Sequence, residues 1–175
     1  MDNFERLKNT LAAGRVRRWH TDGALVQSVG EHTFGVMCVL VYLLSEAGGR
    51  ESFASAADEA VLLAGALLHD APERFTGDLP APVRSRLEGC AEFDAIDREA
   101  RAKVLSIELT DAQRQIVFYA DKLEAVMFAW RVGRGEVALY NSYEVRRALK
   151  SDGTTSERLK ECVRGFLARC GANDC

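Results

Sequence analysis

His32, His69, Asp70 and Asp121 offer two imidazoles and two carboxylates. This mixed nitrogen and oxygen donor set suits a divalent ion such as Zn, Co, Mn or Fe, and it leaves positions open for water and substrate. The chain has only three histidines. Two of them lie on or beside apolar helical stretches, where an imidazole is hard to justify without a ligand. His69 and Asp70 close the run ALLHD. Adjacent helical residues point about 100° apart, so this pair can flank one ion only at the helix end. Asp121 is embedded in IVFYADKLEAVMFAW, where a carboxylate is costly unless paired. Lys122 is not expected to be that partner, because neighbours on a helix do not face each other.

Each feature taken singly has a plainer reading. His69 could be a C-terminal histidine favoured by the helix dipole, and His32 a satisfied first-turn residue beside Glu31. It is the four together, spaced widely enough for a helix pair between successive ligands, that predict a metal centre.

Several neighbours extend the chemistry. Glu73, three residues after Asp70, is placed to hold a water for attack or to donate a proton to a leaving oxygen. Without a metal it would read as an exposed loop glutamate. Gly77 permits a tight turn, and the acceptor-only carboxylate of Asp78 suits a sugar hydroxyl. Arg18 is a natural bidentate partner for phosphate, and Trp19 a flat apolar wall for sugar or base. His20 is not expected to be a ligand.

These residues must be carried by helices. The sequence predicts an all-α fold, a single compact domain over residues 1–175 with six or seven helices. A first helix spans Asn3 to Ala13 and ends at Gly14, and a basic loop runs on to Gly30. A buried helix follows over Glu31 to Glu46, stopped by Gly48-Gly49, and another covers Ser55 to His69. APERFTGDLPAPV holds all three prolines and reads as a structured loop. Helix resumes near Arg84 and continues through Val104. Thr110 or Asp111 caps a helix to about Val132, and the last two helices cover Glu136 to Leu149 and Ser156 to Arg169.

The 175 residues carry a net charge of -3, which gives no electrostatic case for duplex nucleic acid or an anionic membrane. A local basic run, Arg15, Arg17 and Arg18, could still serve an anionic small molecule. The longest apolar run, Val36 to Leu44, falls short of the roughly 20 residues a membrane span needs, and MDNFERLKN has no signal-peptide core. Five cysteines, without framework spacing, are expected as reduced thiols in a cytoplasmic protein. Val126, Met127, Phe128, Trp130, Tyr140 and Tyr143 exceed what one small core needs; they read at least as well as plain core as they do as a self-association surface.

The order H…HD…D, with RRW, EHTFGV, HDAPERFTGDLPAPVR and ADKLEA, resembles the HD-domain phosphohydrolase superfamily. Within it the chain is similar to the bacterial 5'-deoxynucleotidase (YfbR-like) branch and to small phage phosphohydrolases that remove dATP. The resemblance runs from about Arg18 to about Ala125. It implies metal ligation by His32, His69, Asp70 and Asp121, with Co, Zn, Mn or Mg as the ion, and Glu73 as catalytic residue. It also implies phosphate contact by Arg18, crowding of the sugar 2' position by Trp19, and an Asp78 contact to the deoxyribose 3'-OH. Arg84 stands where the family often has lysine and keeps its charge for phosphate. Pro82 and Thr21 are candidates for the base pocket, and the dimers and larger rings that occur in the family imply a homo-oligomer.

The implied reaction is hydrolysis of the 5'-phosphoester of a 2'-deoxynucleotide, leaning to a dATP or dNTP triphosphohydrolase. The alternative is a 5'-deoxynucleotidase acting on monophosphates. More distant is a non-catalytic nucleotide-binding module, disfavoured by the retained ligand set and Glu73.

Overall fold

The computed structural model describes residues 1–18, 26–48, 56–87 and 89–170, without the side chains of Ala56, Ala81, Pro82 and Ser85. The fold is all-α. Among the described residues the helices are α1 (Asn3–Ala13), α2 (Val29–Glu46), α3 (Ala56–Leu68), α4 (Glu73–Thr76), α5 (Ala81–Leu87), α6 (Ala91–Ala102), α7 (Asp111–Arg131), α8 (Gly135–Ser151) and α9 (Glu157–Arg169). Setting aside α4 and α5, of four and seven residues, the longer helices number seven, as the sequence reading expects.

The chain divides into two compact units, Met1–Thr33 with Leu68–Ile107 and Phe34–Leu67 with Glu108–Cys175. In the first, α4 packs against α1 and α6. Asp2 caps α1 by accepting from Glu5 N at 2.9 Å. Asn9 Nδ2 donates to Lys103 O at 2.8 Å and Leu105 N donates to Thr10 Oγ1 at 2.9 Å, which ties α1 to the segment after α6.

The stretch expected as a plain loop between α1 and α2 holds a two-stranded antiparallel ladder, β1 (Arg17–Arg18) and β2 (Gln27–Ser28), pairing Arg17 with Ser28 and Arg18 with Gln27. The proline segment likewise contains α4 and the start of α5. Pro82 is tolerated there because the first turn of a helix needs no donor at that position.

The second unit holds the larger core. Val36, Leu40 and Leu43 of α2, Leu62 of α3, Tyr119, Leu123 and Val126 of α7, Val145 of α8 and Val163 of α9 are fully buried in one cluster. Helix α7 packs on α8 and α9. It begins with a reciprocal capping box, Gln113 N donating to Thr110 Oγ1 at 3.2 Å and Thr110 N to Gln113 Oε1 at 2.9 Å. By length and composition α2 alone among the described helices could cross a membrane, but its buried apolar face belongs to this core.

Candidate metal centre

His32 is presented by the first turns of α2, and local chemistry fixes where that helix starts. Ser28 N donates to Glu31 Oε2 at 2.7 Å, and Glu31 N donates back to Ser28 Oγ at 3.1 Å. This reciprocal pair satisfies donors the helix start would otherwise leave open, so α2 begins at Val29 rather than at Glu31. Backbone bonds from Val29 N to Val16 O (2.8 Å) and from Gly30 N to Gly14 O (3.2 Å) brace the same turn against the end of α1. His32 is completely buried.

His69 and Asp70 lie in the tight turn just past α3. Bonds from Ala71 N to Leu68 O (3.1 Å) and from Glu73 N to Asp70 O (3.0 Å) carry the chain straight into α4. This is the helix-end placement that two adjacent ligands require. His32 Nε2 is 3.5 Å, and His69 Nε2 3.3 Å, from the same oxygen, Asp70 Oδ2. The two rings meet edge to face with centroids 5.5 Å apart. One ligand atom from each of the three residues lies within 4.8 Å of the others. An imidazole lone pair and a carboxylate oxygen are both acceptors, so this convergence is favourable only with a proton or a cation among them. The donor set fits a divalent ion.

Glu73, the first residue of α4, is 4% exposed. Its Oε2 is buried without a hydrogen bond, and its Oε1 is 3.7 Å from Arg84 Nη2. Burial, then the charges of Asp70 and Asp78, push its pKa up to about 9 against the pull of Arg18 and Arg84. At neutral pH it therefore holds a proton. Gly77 ends α4 with φ 70°, its N–H bonded to Glu73 O, a backbone state that favours glycine. It turns the chain so that Asp78 Oδ1 lies 3.8 Å from Arg18 Nε, both side chains mostly buried. With Glu73 neutral, Asp70 and Asp78 balance Arg18 and Arg84. A dication at the histidines would add positive charge to this site, which favours an anionic substrate.

Of the remaining expectations, Trp19, His20 and Thr21 lie outside the described residues, as does the side chain of Pro82. Asp121 is on α7 in the second unit. Contrary to the sequence reading, Lys122 does pair with it, Nζ to Oδ2 at 3.0 Å. The flexible four-carbon stem of lysine spans an angular offset that a shorter side chain could not. Sequence reasoning also missed the Ser28–Glu31 box, whose S-x-x-E spacing before an apolar run was there to be read. It missed the pairings Arg18–Asp78 and Arg84–Glu73 too, and these have no local sequence signal.

Comparison with known proteins adds four findings. A family model described as 5'-deoxynucleotidase YfbR-like matches residues 11–132. A dATP triphosphohydrolase of Salmonella phage PMBT28 is 29% identical over 134 residues, 75% of this chain and 69% of that one. Another, of Acinetobacter phage SH-Ab 15497, is 32% identical over 100 residues, 52% of this chain and 47% of that one, so the chain spans about half its length. Among solved structures, the cyanophage S-2L HD phosphohydrolase DatZ, bound to dA and one catalytic Zn2+ ion, superposes with a TM-score of 0.69 at 21% identity. That match covers 94% of this chain and 95% of DatZ, and it establishes the HD-domain fold.

Proposed function

Because the chain belongs to the YfbR-like 5'-deoxynucleotidase family, we propose that it is a metal-dependent phosphohydrolase of 2'-deoxynucleotides, with dATP or another dNTP as substrate. The observation that carries this reading is the convergence of His32, His69 and Asp70 donor atoms, with Glu73 buried a few residues along the chain and its Oε2 without a hydrogen bond. The phage relatives' names supply the lean toward triphosphates.

The proposal takes residues 1–175 as one HD domain. It includes Asp121 as fourth ligand, on motif order rather than on a distance; Lys122 would release it on metal binding. A bound Zn, Co, Mn or Mg ion would polarise a phosphoryl oxygen and lower the pKa of water toward neutrality. Arg18 and Arg84 would exchange their loose carboxylate pairings for the phosphate and neutralise its charge in the transition state. Glu73 would deliver its proton to the leaving 5'-oxygen. Asp78, once Arg18 turns to phosphate, would accept from the sugar 3'-OH, while Trp19 crowds the 2' position and Thr21 and Pro82 border the base. The protein is proposed to act in the cytoplasm as a homo-oligomer. Val126 and Phe128 are spent in the core, but Met127, Trp130, Tyr140 and Tyr143 are exposed, the composition of a contact surface.

Monophosphate hydrolysis is the second reading, and one feature favours it. Alternation along β1 turns exposed Arg17 to the opposite face from Arg18, so that pair cannot grip successive phosphates from one side. Release of phosphate, pyrophosphate or triphosphate from dAMP, dADP and dATP, with AMP and ATP alongside and Co, Mn, Zn or Mg supplied, tests both. The proposal expects dATP to be turned over and ATP to be spared. Turnover of dAMP alone would select the second reading, and no turnover of any deoxynucleotide would overturn both.

A further inference from the structure

The second unit carries a surface cleft whose residues have no part in the chemistry above. Tyr42 and Glu46 of α2 line it together with Arg158, Glu161, Cys162 and Arg169 of α9, around a volume of about 310 Å³. All six belong to that one unit. The walls are held in place. Arg169 Nη1 donates to Tyr42 OH at 2.8 Å, and the Tyr42 ring meets Phe166 edge to face with centroids 5.7 Å apart. A Cβ placed on Gly48, just past α2, would lie 2.9 Å from Arg158 Nη1, 3.0 Å from its Cζ and 3.1 Å from its Nη2. The guanidinium therefore lies against the C-terminal end of α2, where the helix dipole favours a cation.

Two features point to a ligand rather than to a solvated seam. Gly165 also lines the cleft, in the interior of α9, where glycine weakens a helix relative to alanine. Its φ is not positive, and no side chain or neighbouring element comes within 4 Å of where its Cβ would stand. Neither backbone nor packing asks for glycine there, and the space it leaves belongs to the cleft. The second feature is charge. Arg158, Glu46 and Glu161 make no ion pair among the described residues, although all three act on the Cys162 thiol. Burial pushes that thiol up, the two carboxylates add to the effect and Arg158 opposes them. Two arginines and two glutamates leave the lining neutral, so it favours neither a polyanion nor a bare cation. A molecule carrying both signs satisfies both sets. The volume lies at the lower end of the range for ligand pockets, which suits a molecule of amino-acid size.

We propose that this cleft binds a small zwitterion of the amino-acid class, its anionic group taken by the arginines and its ammonium by the glutamates, over the gap left by Gly165. The site goes beyond the hydrolase reading and stands without it.

The test is amide NMR of the full chain titrated with the common free L-amino acids, with pyrophosphate and putrescine as probes of a single sign. At least one amino acid should give saturable shifts in the millimolar range at Tyr42, Cys162 and Gly165, and the single-sign probes should not. Arg158→Gln and Glu161→Gln should each weaken that binding by about tenfold, as the loss of a charged partner does. Gly165→Leu should abolish it, while Gly165→Ala should raise the Tm of the free protein by about 2–4 °C. No shift at those residues with any amino acid overturns the proposal, as do equal shifts there with pyrophosphate or putrescine. Unchanged binding in Gly165→Leu overturns it too; if that variant does not fold, unchanged binding in both Arg158→Gln and Glu161→Gln decides the matter in the same sense. A Tm that fails to rise in Gly165→Ala would show that the fold itself uses this glycine, and the proposal falls with it.

Discussion

Two carboxylates in this molecule have opposite surroundings. Asp152, between α8 and α9, has both oxygens filled. Oδ1 accepts from Thr154 N at 2.7 Å, Thr154 Oγ1 at 2.8 Å and Thr155 N at 3.2 Å, and Oδ2 accepts from Tyr119 OH at 2.9 Å and from Thr155 Oγ1. Burial alone would raise its pKa, but these hydrogen bonds outweigh it and hold the group well below the usual carboxylate range. Glu73 is buried with one oxygen lacking any hydrogen bond, and burial and two neighbouring acids push it upward. The same side-chain chemistry is used in one place to fasten a loop to a core helix, and in the other is left able to exchange a proton. A fully satisfied acid has little left to offer a ligand; an unsatisfied one beside two histidines does.

The contrast can be broken most sharply at Asp70. Asp70→Ala should abolish turnover while the protein stays folded, because Asp70 Oδ2 is the oxygen both imidazoles approach; phosphate release at wild-type levels would remove the trio from the reaction. Glu73→Gln should lower kcat by about 10²- to 10⁴-fold with Co2+ affinity largely kept. A drop in affinity without a drop in kcat would make Glu73 a ligand rather than a proton carrier.

The same residue sets a pH signature. With its folded pKa raised from 4.5 to about 9, Glu73 binds a proton in the folded state that the unfolded chain has released. Metal-free protein should therefore lose stability as pH rises between those values. Glu73→Gln should flatten that slope, as thermal midpoints measured across the range would record; an unchanged slope would place the effect elsewhere. At the satisfied acid the expected effect is smaller and of another kind. Tyr119→Phe removes one hydrogen bond to Asp152 and should cost about 1 kcal/mol of stability, read by denaturant unfolding, with kcat/KM unchanged.

The sequence made some of this legible and hid the rest for identifiable reasons. α1 was readable at its end because Gly14 is a local signal, and the pair Thr110 or Asp111 marked the start of α7, where Thr110 is the cap. The His69-Asp70 placement followed from helix geometry alone. β1 and β2 escaped because a two-residue ladder has no alternation to detect. The Asp121–Lys122 pair was excluded by a rule about Cβ directions that a long side chain evades. The pairings Arg18–Asp78 and Arg84–Glu73 join residues from different elements, so only the folded chain displays them. That Glu73 is buried rather than an exposed loop glutamate follows from the turn at Asp70 to Pro72, which no periodicity encodes.

The central claim is that His32, His69 and Asp70 bind the ion on which hydrolysis depends. Its most direct test is dATP turnover by chelator-stripped protein as Co2+ is added back, for wild type and His32→Ala. The account predicts no activity in stripped wild type, recovery that saturates near one ion per chain, and no recovery in His32→Ala. Stripped protein that still hydrolyses dATP, or a His32→Ala variant restored along the wild-type curve, would contradict it.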